Sequence, residues 1–303
     1  MQEKIQIISD GSLDLSRELT RERDILVVPF YVSFDGETYL KEGVELDIRE
    51  FYQRMVDHPD VFPKTSMPSV DDYYQVFLPL AKQDVPMICI CITTKFSGSM
   101  QSATTARNMV LEEYPKARIT VIDAEINTVL QGLYVLEACR LRDLGWEYDR
   151  MVERLLAIRE SGRIFFTIGN IDYLKHGGRI GKLAGIAAGA LGIKPIKPLI
   201  TLKEGEIFAS GIARSREKSM QKVIEMLKAY LDERTAKPGE YSFAIGYGYD
   251  YEEACHFREM LKDLVRERLI DEIEIYQIGA TIGVHTGPYP IGVGIIKRAD
   301  WEA

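Results

Sequence analysis

The chain has 303 residues, of which 46% are hydrophobic and 28% are charged, and its 12 prolines are scattered along it. This length and composition predict a globular protein with a large core, built as one large domain or two closely packed ones. The net charge of −8 and the pI near 5.3 argue against non-specific nucleic-acid binding, because phosphate contacts need a basic surface. An acidic total still permits a local basic patch.

Two segments were compared with the signals that direct a chain to secretion or into a membrane, and neither has the expected features. The first residues, MQEKIQIISD, lack the basic and then apolar regions of a signal peptide, so we expect a cytoplasmic protein. The most apolar stretch, 183–193 (LAGIAAGALGI), is about half of the roughly 20 residues that span a bilayer, so no stable membrane insertion is expected. The four cysteines are expected to pack in the core rather than to form disulfides.

Over the first half, short apolar runs alternate with amphipathic segments, which is typical of βα units around a mainly parallel sheet. Ser69 opens a helix with Asp72 at the capping-box position, and residues 127–142 carry apolar residues at helical spacing. Strands are predicted at 5–9, 25–34, 87–92 and 119–123. Residues 1–160 are therefore predicted to form a doubly wound α/β lobe.

The pattern changes near residue 160, where hairpin pairing becomes more favourable than crossover connections. Helices are predicted at 215–232 and 251–267. Strands are predicted at 163–168, 198–202, 206–213, 241–247, 273–278 and 291–296. Residues 161–303 are predicted to form an α+β lobe.

Four stretches contain more glycine, serine and threonine than folding alone requires: KTSMPS (64–69), TTKFSGSMQSA (93–103), DYLKHGGRIGKLAG (172–185) and IGATIGVHTGPYPIGV (278–293). The second follows a buried strand and leads into a helix, where α/β sheets bind ligands. Ser97, Gly98 and Ser99 would lie at the start of that helix, where amide groups favour an anion. The alternative is that Ser97 only caps the helix.

Other side chains in these stretches allow the same two interpretations. Thr65 and Ser66 precede a second helix start, and either could bind a ligand or cap that helix. His285 stands in a glycine-rich apolar context, where it could pair with a buried carboxylate or be a structural histidine. Arg179 and Arg214 could bind an anion or a charged partner, or lie solvated on the surface.

Several enzyme classes lack their motifs in this sequence. GGRIGKL has neither the glycine spacing of a phosphate-binding P-loop nor the Ser or Thr after its lysine, and no G-x-S-x-G motif is present. Asp10 and Asp14 follow the first strand, but their spacing does not fit an aspartate-nucleophile phosphatase. No His, Cys, Asp and Glu cluster has zinc-ligand spacing, so neither a metal nor a cofactor is expected.

In their order and spacing, these motifs resemble the DegV family of fatty-acid-binding proteins, which includes the bacterial fatty acid kinase B subunits. The similarity runs from ISDGSLDLS (8–16) through KTSMPS, FSGSMQSA, VIDAEINTVLQG (121–132), DYLKHGGRIG and IGVHTGP to the last strand. The resemblance implies a two-lobed α/β fold, one DegV domain over about residues 4–299, with a lipid between the lobes.

The resemblance also implies which residues bind the lipid. Thr65 and Ser97 match the residues that hold the carboxylate, and His285 and Arg179 match their neighbours. Further neighbours in the pocket would be Ser66, Gly98, Ser99 and Thr286. A looser match places Arg214 on a surface that faces a kinase.

The function that follows is that of a carrier rather than an enzyme. It would bind a long-chain fatty acid and present the carboxylate to a separate ATP-dependent kinase, which forms an acyl phosphate for phospholipid synthesis. Two alternatives remain: a freestanding enzyme on a small anionic substrate, with Ser97 as nucleophile and His285 as base, and a regulatory protein that senses lipid. Departures from the family pattern, among them Gly11, Met67 and Tyr289, put the preferred chain length in question.

Overall fold

The computed structural model describes residues 4–183, 196–268 and 272–301. The strands are β1 Gln6–Asp10, β2 Ile25–Val28, β3 Tyr31–Ser33, β4 Leu40–Lys41, β5 Lys64–Ser66, β6 Met87–Cys91, β7 Ile119–Asp123, β8 Arg163–Thr167, β9 Lys197–Lys203, β10 Glu206–Ala213, β11 Tyr241–Tyr247, β12 Glu274–Gln277 and β13 Ile291–Lys297. The α-helices are α1 Arg17–Glu22, α2 Ile48–Asp57, α3 Val70–Ala81, α4 Ser99–Glu113, α5 Thr128–Asp143, α6 Tyr148–Arg159, α7 Asp172–His176, α8 Arg216–Glu233, α9 Tyr251–Val265 and α10 Ala280–Thr286.

The N-terminal part contains a four-stranded parallel sheet in the order β2-β1-β6-β7. Strands β1 and β6 are buried along their whole length, which explains why their sequences read as continuous apolar runs. Helix α3 begins with the predicted capping box, in which Ser69 and Asp72 bond each other's main chain. The parallel sheet confirms the α/β class predicted for this part.

The prediction of one strand over residues 25–34 was wrong. The chain breaks at Pro29 into β2, which belongs to the parallel sheet, and β3, which belongs to a small antiparallel sheet in the order β4-β3-β5. Proline has no N–H to donate to a sheet ladder, so a strand cannot run through it at the centre of a sheet. The break matters because it places β5, which carries Thr65, beside β3.

The C-terminal part contains a six-stranded sheet in the order β10-β9-β8-β13-β11-β12, which is antiparallel except between β11 and β12. The predicted hairpin of β9 and β10 is confirmed, with a bulge between Ala209 and Gly211. This sheet-rich arrangement confirms the fold class predicted for the second half.

Helix α5 joins the two parts. It contacts β1 of the first sheet and packs closely on β11 and β13 of the second, where a Cβ atom at Gly294 would stand only 3.0 Å from Cβ of Leu130. One hydrophobic cluster accordingly includes side chains from both sheets, for example Ile88 of β6 and Ile296 of β13. The boundary at residue 160, between α6 and β8, stays a prediction.

The apolar stretch 183–193, which is too short to span a bilayer, falls outside the described residues except for Leu183, which is buried. Within the part of the chain that the structure describes, no helix is both long and apolar enough to cross a bilayer. Cys89, Cys91 and Cys139 are buried free thiols, as predicted, and Cys255 is half-buried.

Candidate functional site

A cavity of about 310 Å³ lies between the two sheets. Ile164 and Phe166 of β8, Leu202 of β9 and Ile207 of β10 line it from the C-terminal sheet, and Ile92 lines it from the end of β6. Its volume lies within the roughly 300–1,000 Å³ of pockets that bind small ligands. Most of the wall is apolar, so the cavity suits a ligand with a long apolar portion.

Four side chains that the sequence analysis selected come together in the wall of this cavity. They are Thr65 on β5, Ser97 before α4, Arg179 after α7 and His285 in α10. Three of the four predicted neighbours, Ser66, Gly98 and Thr286, also line it. The cavity therefore has a polar end built from segments that are far apart in the sequence.

The geometry of the Ser97 hydroxyl is compatible with both roles that the sequence left open. Its oxygen accepts a hydrogen bond of 3.2 Å from the backbone N–H of Ser99, the first residue of α4. A hydroxyl that accepts at its oxygen still has its own hydrogen to donate. Ser97 can thus support the helix start and donate to an anion in the cavity at the same time.

Ser99 supports the cavity wall without lining it. Its hydroxyl donates to a carboxylate oxygen of Asp10 at 2.8 Å and lies 2.6 Å from the hydroxyl of Tyr73. The same Asp10 oxygen accepts the backbone N–H of Ile92 at 2.9 Å. Asp10 thus ties both ends of the 92–99 segment, which carries Ser97, to β1. Burial raises the pKa of Asp10, as expected for a carboxyl group inside the core.

The imidazole of His285 contacts Thr65 on one side and Gly177 on the other. Its Nε2 atom lies 3.4 Å from Oγ1 of Thr65, whereas its buried Nδ1 atom has no hydrogen-bond partner in the part of the chain that the structure describes. We assign the proton to Nε2, because the other tautomer would bury an unpaired N–H. In this assignment Nε2 donates to Thr65, whose own hydroxyl hydrogen is left for a ligand.

Burial and the charge of Arg179 lower the pKa of His285 to about 4. His285 is therefore neutral at pH 7 in the absence of a ligand, and the fixed positive charge at the polar end belongs to Arg179. The guanidinium of Arg179 is held by main-chain carbonyl oxygens: Nε and Nη2 donate to Phe96 at 3.1 and 3.0 Å, and Nη1 donates to Gly177 at 2.8 Å. These bonds place a cation next to Ser97.

Two buried carboxyl groups support another part of the cavity wall. Thr128 donates to Asp14 at 2.5 Å, and Thr281 donates to Glu42 through its hydroxyl and, at 3.1 Å, through its N–H. Both threonines line the cavity. Burial raises the pKa of Glu42 to about 7, and burial together with the charge of Glu42 raises the pKa of Asp14.

Sequence reasoning did not assign a site role to several other residues that line the cavity, among them Met67, Phe96, Asn127, Thr128 and Thr281. Signals were available, since Met67, Phe96 and Thr281 lie in the stretches rich in glycine, serine and threonine, and Asn127 and Thr128 lie in the stretch VIDAEINTVLQG that carries the family resemblance. Thr128 has a φ of +52°, which is unusual for a β-branched residue and shows that its position is imposed by its surroundings.

The arrangement lacks the parts of a serine hydrolase. A base of that kind is oriented by a third group on its second ring nitrogen, and Nδ1 of His285 has no partner among the described residues. The hydroxyl that lies within hydrogen-bond distance of the imidazole belongs to Thr65. Across residues 4–183, 196–268 and 272–301 no group of His, Cys, Asp and Glu could hold a metal ion.

Arg214, which the family resemblance matched only loosely, is exposed directly after β10 and lies outside the cavity.

Known proteins share this fold over nearly the whole chain. A family model described as "Uncharacterised protein, DegV family" matches residues 4–298. A DegV domain-containing protein of Caldanaerobacter subterraneus subsp. tengcongensis is 31% identical over 301 residues, which cover 96% of this chain and 98% of that protein. The crystal structure of a stearic-acid-binding protein from Eubacterium ventriosum has 45% identity and a TM-score of 0.92, covering 98% of this chain and 99% of that one. A fatty-acid-binding DegV family protein from Thermus thermophilus has 27% identity and a TM-score of 0.85, covering 98% and 100%.

Proposed function

This chain belongs to the DegV family, and we propose that it binds a long-chain fatty acid with the carboxylate at the polar end of the cavity. In this arrangement Thr65 and Ser97 donate hydrogen bonds to the carboxylate, and Arg179 provides a positive charge beside it. The observation that carries the proposal is an apolar cavity that ends in two hydroxyl groups and a cation. The stearic-acid-binding relative from Eubacterium ventriosum supports the same ligand class.

The tail and the carboxylate of the fatty acid contribute differently to the free energy of binding. Transfer of about 15 methylene groups out of water contributes on the order of 12 kcal/mol, from which association costs remove several. Each neutral hydroxyl hydrogen bond adds only about 1 kcal/mol net. The tail thus provides most of the affinity, and Thr65 and Ser97 orient the carboxylate.

A bound carboxylate also changes the state of His285. A negative charge within about 4–6 Å favours the protonated imidazole, because it stabilises the charged form. The low pKa of His285 in the lipid-free protein therefore rises when a fatty acid binds. His285 then adds a second positive charge only when there is a carboxylate to neutralise.

We infer that the chain is a carrier that presents its lipid to a separate ATP-dependent kinase, in the cytoplasm, for acyl phosphate formation and phospholipid synthesis. Two features favour a carrier over an enzyme acting alone. No described residue orients the imidazole at Nδ1, and the polar end lies beside exposed residues, Arg179 and Met67, through which a partner can approach. Arg214 is exposed as a partner-facing residue would be.

Lipid analysis of gently purified protein tests the ligand. Native mass spectrometry of the chain expressed in bacteria is expected to show one C14 to C18 fatty acid per protein, released on denaturation. Protein that is empty, and that fails to take up palmitate after delipidation, would overturn the proposal. The kinase step is tested separately by incubating palmitate-loaded protein with a fatty acid kinase and ATP, and trapping acyl phosphate with hydroxylamine.

A further inference from the structure

A second, shallower cleft of about 360 Å³ adjoins the polar end of the lipid cavity. We call it the mouth cleft. Its polar lining is Lys95, Arg179 and Glu206, and its apolar lining includes Phe96 and Ile207. Phe96, Arg179 and Ile207 line the lipid cavity as well. Arg179 therefore borders both spaces, and it also lies beside the proposed carboxylate position.

We propose that the mouth cleft is a binding site for a phosphoryl group, in which Lys95 and Arg179 hold the phosphate of an acyl phosphate. The proposal rests on the function proposed above. The site receives the phosphoryl group during transfer from a nucleoside triphosphate and retains it in the product.

The chemistry of the transfer requires positive charge at this place. A carboxylate oxygen forms a bond to the γ-phosphorus while the bond from that phosphorus to the β,γ-bridging oxygen breaks, and the nucleoside diphosphate leaves with the electron pair. No proton is needed, but two anions must approach each other. Enzymes that transfer phosphoryl groups neutralise the charge on the phosphoryl oxygens with Lys, Arg or metal ions.

Arg179 has the donors for this role. Three of its N–H groups bond to main-chain carbonyl oxygens of Phe96 and Gly177, and a guanidinium has five. No described residue accepts a hydrogen bond from the other two N–H groups, so we assign them to a ligand, on a side chain whose position the three bonds fix. Since Arg179 borders both spaces, it can contact the carboxylate and the phosphoryl group together.

Lys95 provides a second cation that the carboxylate site does not use. Its side chain is exposed and lines the mouth cleft but not the lipid cavity, and its ammonium forms no ion pair with any described residue. Its backbone N–H donates to Thr93 at 3.3 Å, and Thr93 in turn bonds to the carbonyl oxygen of Gly205 at 3.3 Å. The backbone that carries this cation is thereby tied to the turn between β9 and β10.

A nearby lysine offers a matched control. Lys64 precedes Thr65 on β5 and is likewise exposed, but its ammonium lies over the turn at Gly36, 3.2 Å from where a Cβ atom would stand there. It lines neither the mouth cleft nor the cavity. Lys64→Gln therefore removes one positive charge from an exposed lysine that lies outside the proposed site.

The test compares two ligands that share a C15 alkyl tail. One is palmitate; the other is 2-oxoheptadecylphosphonate, in which a methylene group replaces the bridging oxygen of palmitoyl phosphate. Affinities for the delipidated full-length chain are measured by calorimetry. Lys95→Gln is expected to weaken phosphonate binding by about 5- to 20-fold, the loss of one charge-assisted contact, and palmitate binding by less than about twofold. Lys95→Arg is expected to retain phosphonate binding, and Lys64→Gln to change neither ligand.

Different outcomes overturn different statements. If palmitate binds but the phosphonate does not, the mouth cleft is not a phosphoryl site, and the proposed function stands. Equal weakening of both ligands by Lys95→Gln, no weakening of either, or an equal effect of Lys64→Gln would overturn the role of Lys95. If neither ligand binds the wild-type chain, the proposed function itself fails.

Discussion

The Nε2 atom of His285 lies 3.4 Å from Oγ1 of Thr65, although 220 residues separate the two in the sequence. Gly177 makes this contact possible from the other side of the ring. A Cβ atom at Gly177 would stand 2.0 Å from Nδ1 of His285, which is far too close for a carbon and a nitrogen that are not bonded to each other. The missing side chain of Gly177 thus sets the position of the imidazole against Thr65.

Gly177→Ala is therefore expected to weaken fatty acid binding although it removes no polar group. The backbone at Gly177 has a φ of −72°, which alanine adopts without strain, so the effect is steric and acts on the ring. We expect a loss of about 1 kcal/mol in palmitate affinity, the value of one hydrogen bond. Calorimetric titration of the delipidated variant measures it.

A double-mutant cycle isolates the imidazole as the cause. In a His285→Ala background there is no ring to displace, so Gly177→Ala is expected to cost nothing further. If the two losses instead add in full, Gly177 acts through some other contact, and its proposed role in placing His285 is wrong.

The two hydroxyl groups are expected to contribute modestly and equally to affinity. Thr65→Val and Ser97→Ala each remove one donor to the carboxylate, and we expect each to weaken palmitate binding by about 1 kcal/mol, or about fivefold. Thr105→Val is the matched control, because Thr105 is, like Thr65 and Ser97, a half-buried residue, and its hydroxyl bonds only locally within α4. A loss of several kcal/mol in either variant would contradict the view that the tail supplies most of the affinity.

Local rules predicted much of this structure where one sequence segment decides one element. The capping box of Ser69 and Asp72 and the hairpin of β9 and β10 each depend on neighbouring residues, and both were correct. The single strand over 25–34 failed because its apolar pattern continues across Pro29, where the two halves enter different sheets. Periodicity reports burial but not which sheet a strand joins.

The same contrast between what a sequence segment specifies and what only the fold specifies applies to the candidate site. Family resemblance identified Thr65, Ser97, Arg179 and His285, and the fold brings all four to one cavity. The hydrogen bonds that support these residues could not be predicted, because the bond of Thr281 to Glu42 joins residues 239 apart, and Glu42 lies in none of the selected stretches. Nor does a sequence show that burial keeps His285 neutral, since a pKa depends on the folded surroundings.

The depth of the cavity is expected to set the preferred chain length. Leu202→Phe adds volume to the cavity wall from β9, so we expect stearate to lose affinity by about tenfold or more while a C12 acid loses less. Leu199→Phe makes the same change on the opposite face of β9, in the other hydrophobic cluster. The control variant is expected to lower stability by about 1–3 kcal/mol without changing the order of chain lengths.

If stearate and laurate weaken in equal proportion in Leu202→Phe, the residue does not border the tail. Thermal unfolding of both leucine variants separates a general loss of stability from a specific loss of space. A shift in preference that appears only in Leu202→Phe identifies β9 as part of the wall that limits the tail.

The carboxyl group of Glu42 is expected to make the stability of the protein fall as the pH rises. Burial raises its pKa in the folded state from 4.5 to about 7, so folding favours the protonated acid. Below pH 4.5 the group costs no stability, between pH 4.5 and 7 the cost grows, and above pH 7 it is complete. The full cost for this single group is about 3 kcal/mol, at about 1.4 kcal/mol for each unit of pKa difference.

Glu42→Gln removes this ionisation and can keep the local bonds, with Oε1 accepting the N–H of Thr281 and Nε2 donating to its hydroxyl. Urea unfolding at about pH 5 and about pH 8 is therefore expected to show a smaller loss of stability with rising pH in Glu42→Gln than in the wild type. Some dependence remains, because Asp14 also has a raised pKa and acts in the same direction. Glu37→Gln, at an exposed position, is expected to follow the wild type. Equal pH dependence in Glu42→Gln and the wild type would show that Glu42 is ionised in the folded protein throughout this range, and that Thr281 is held by a full charge.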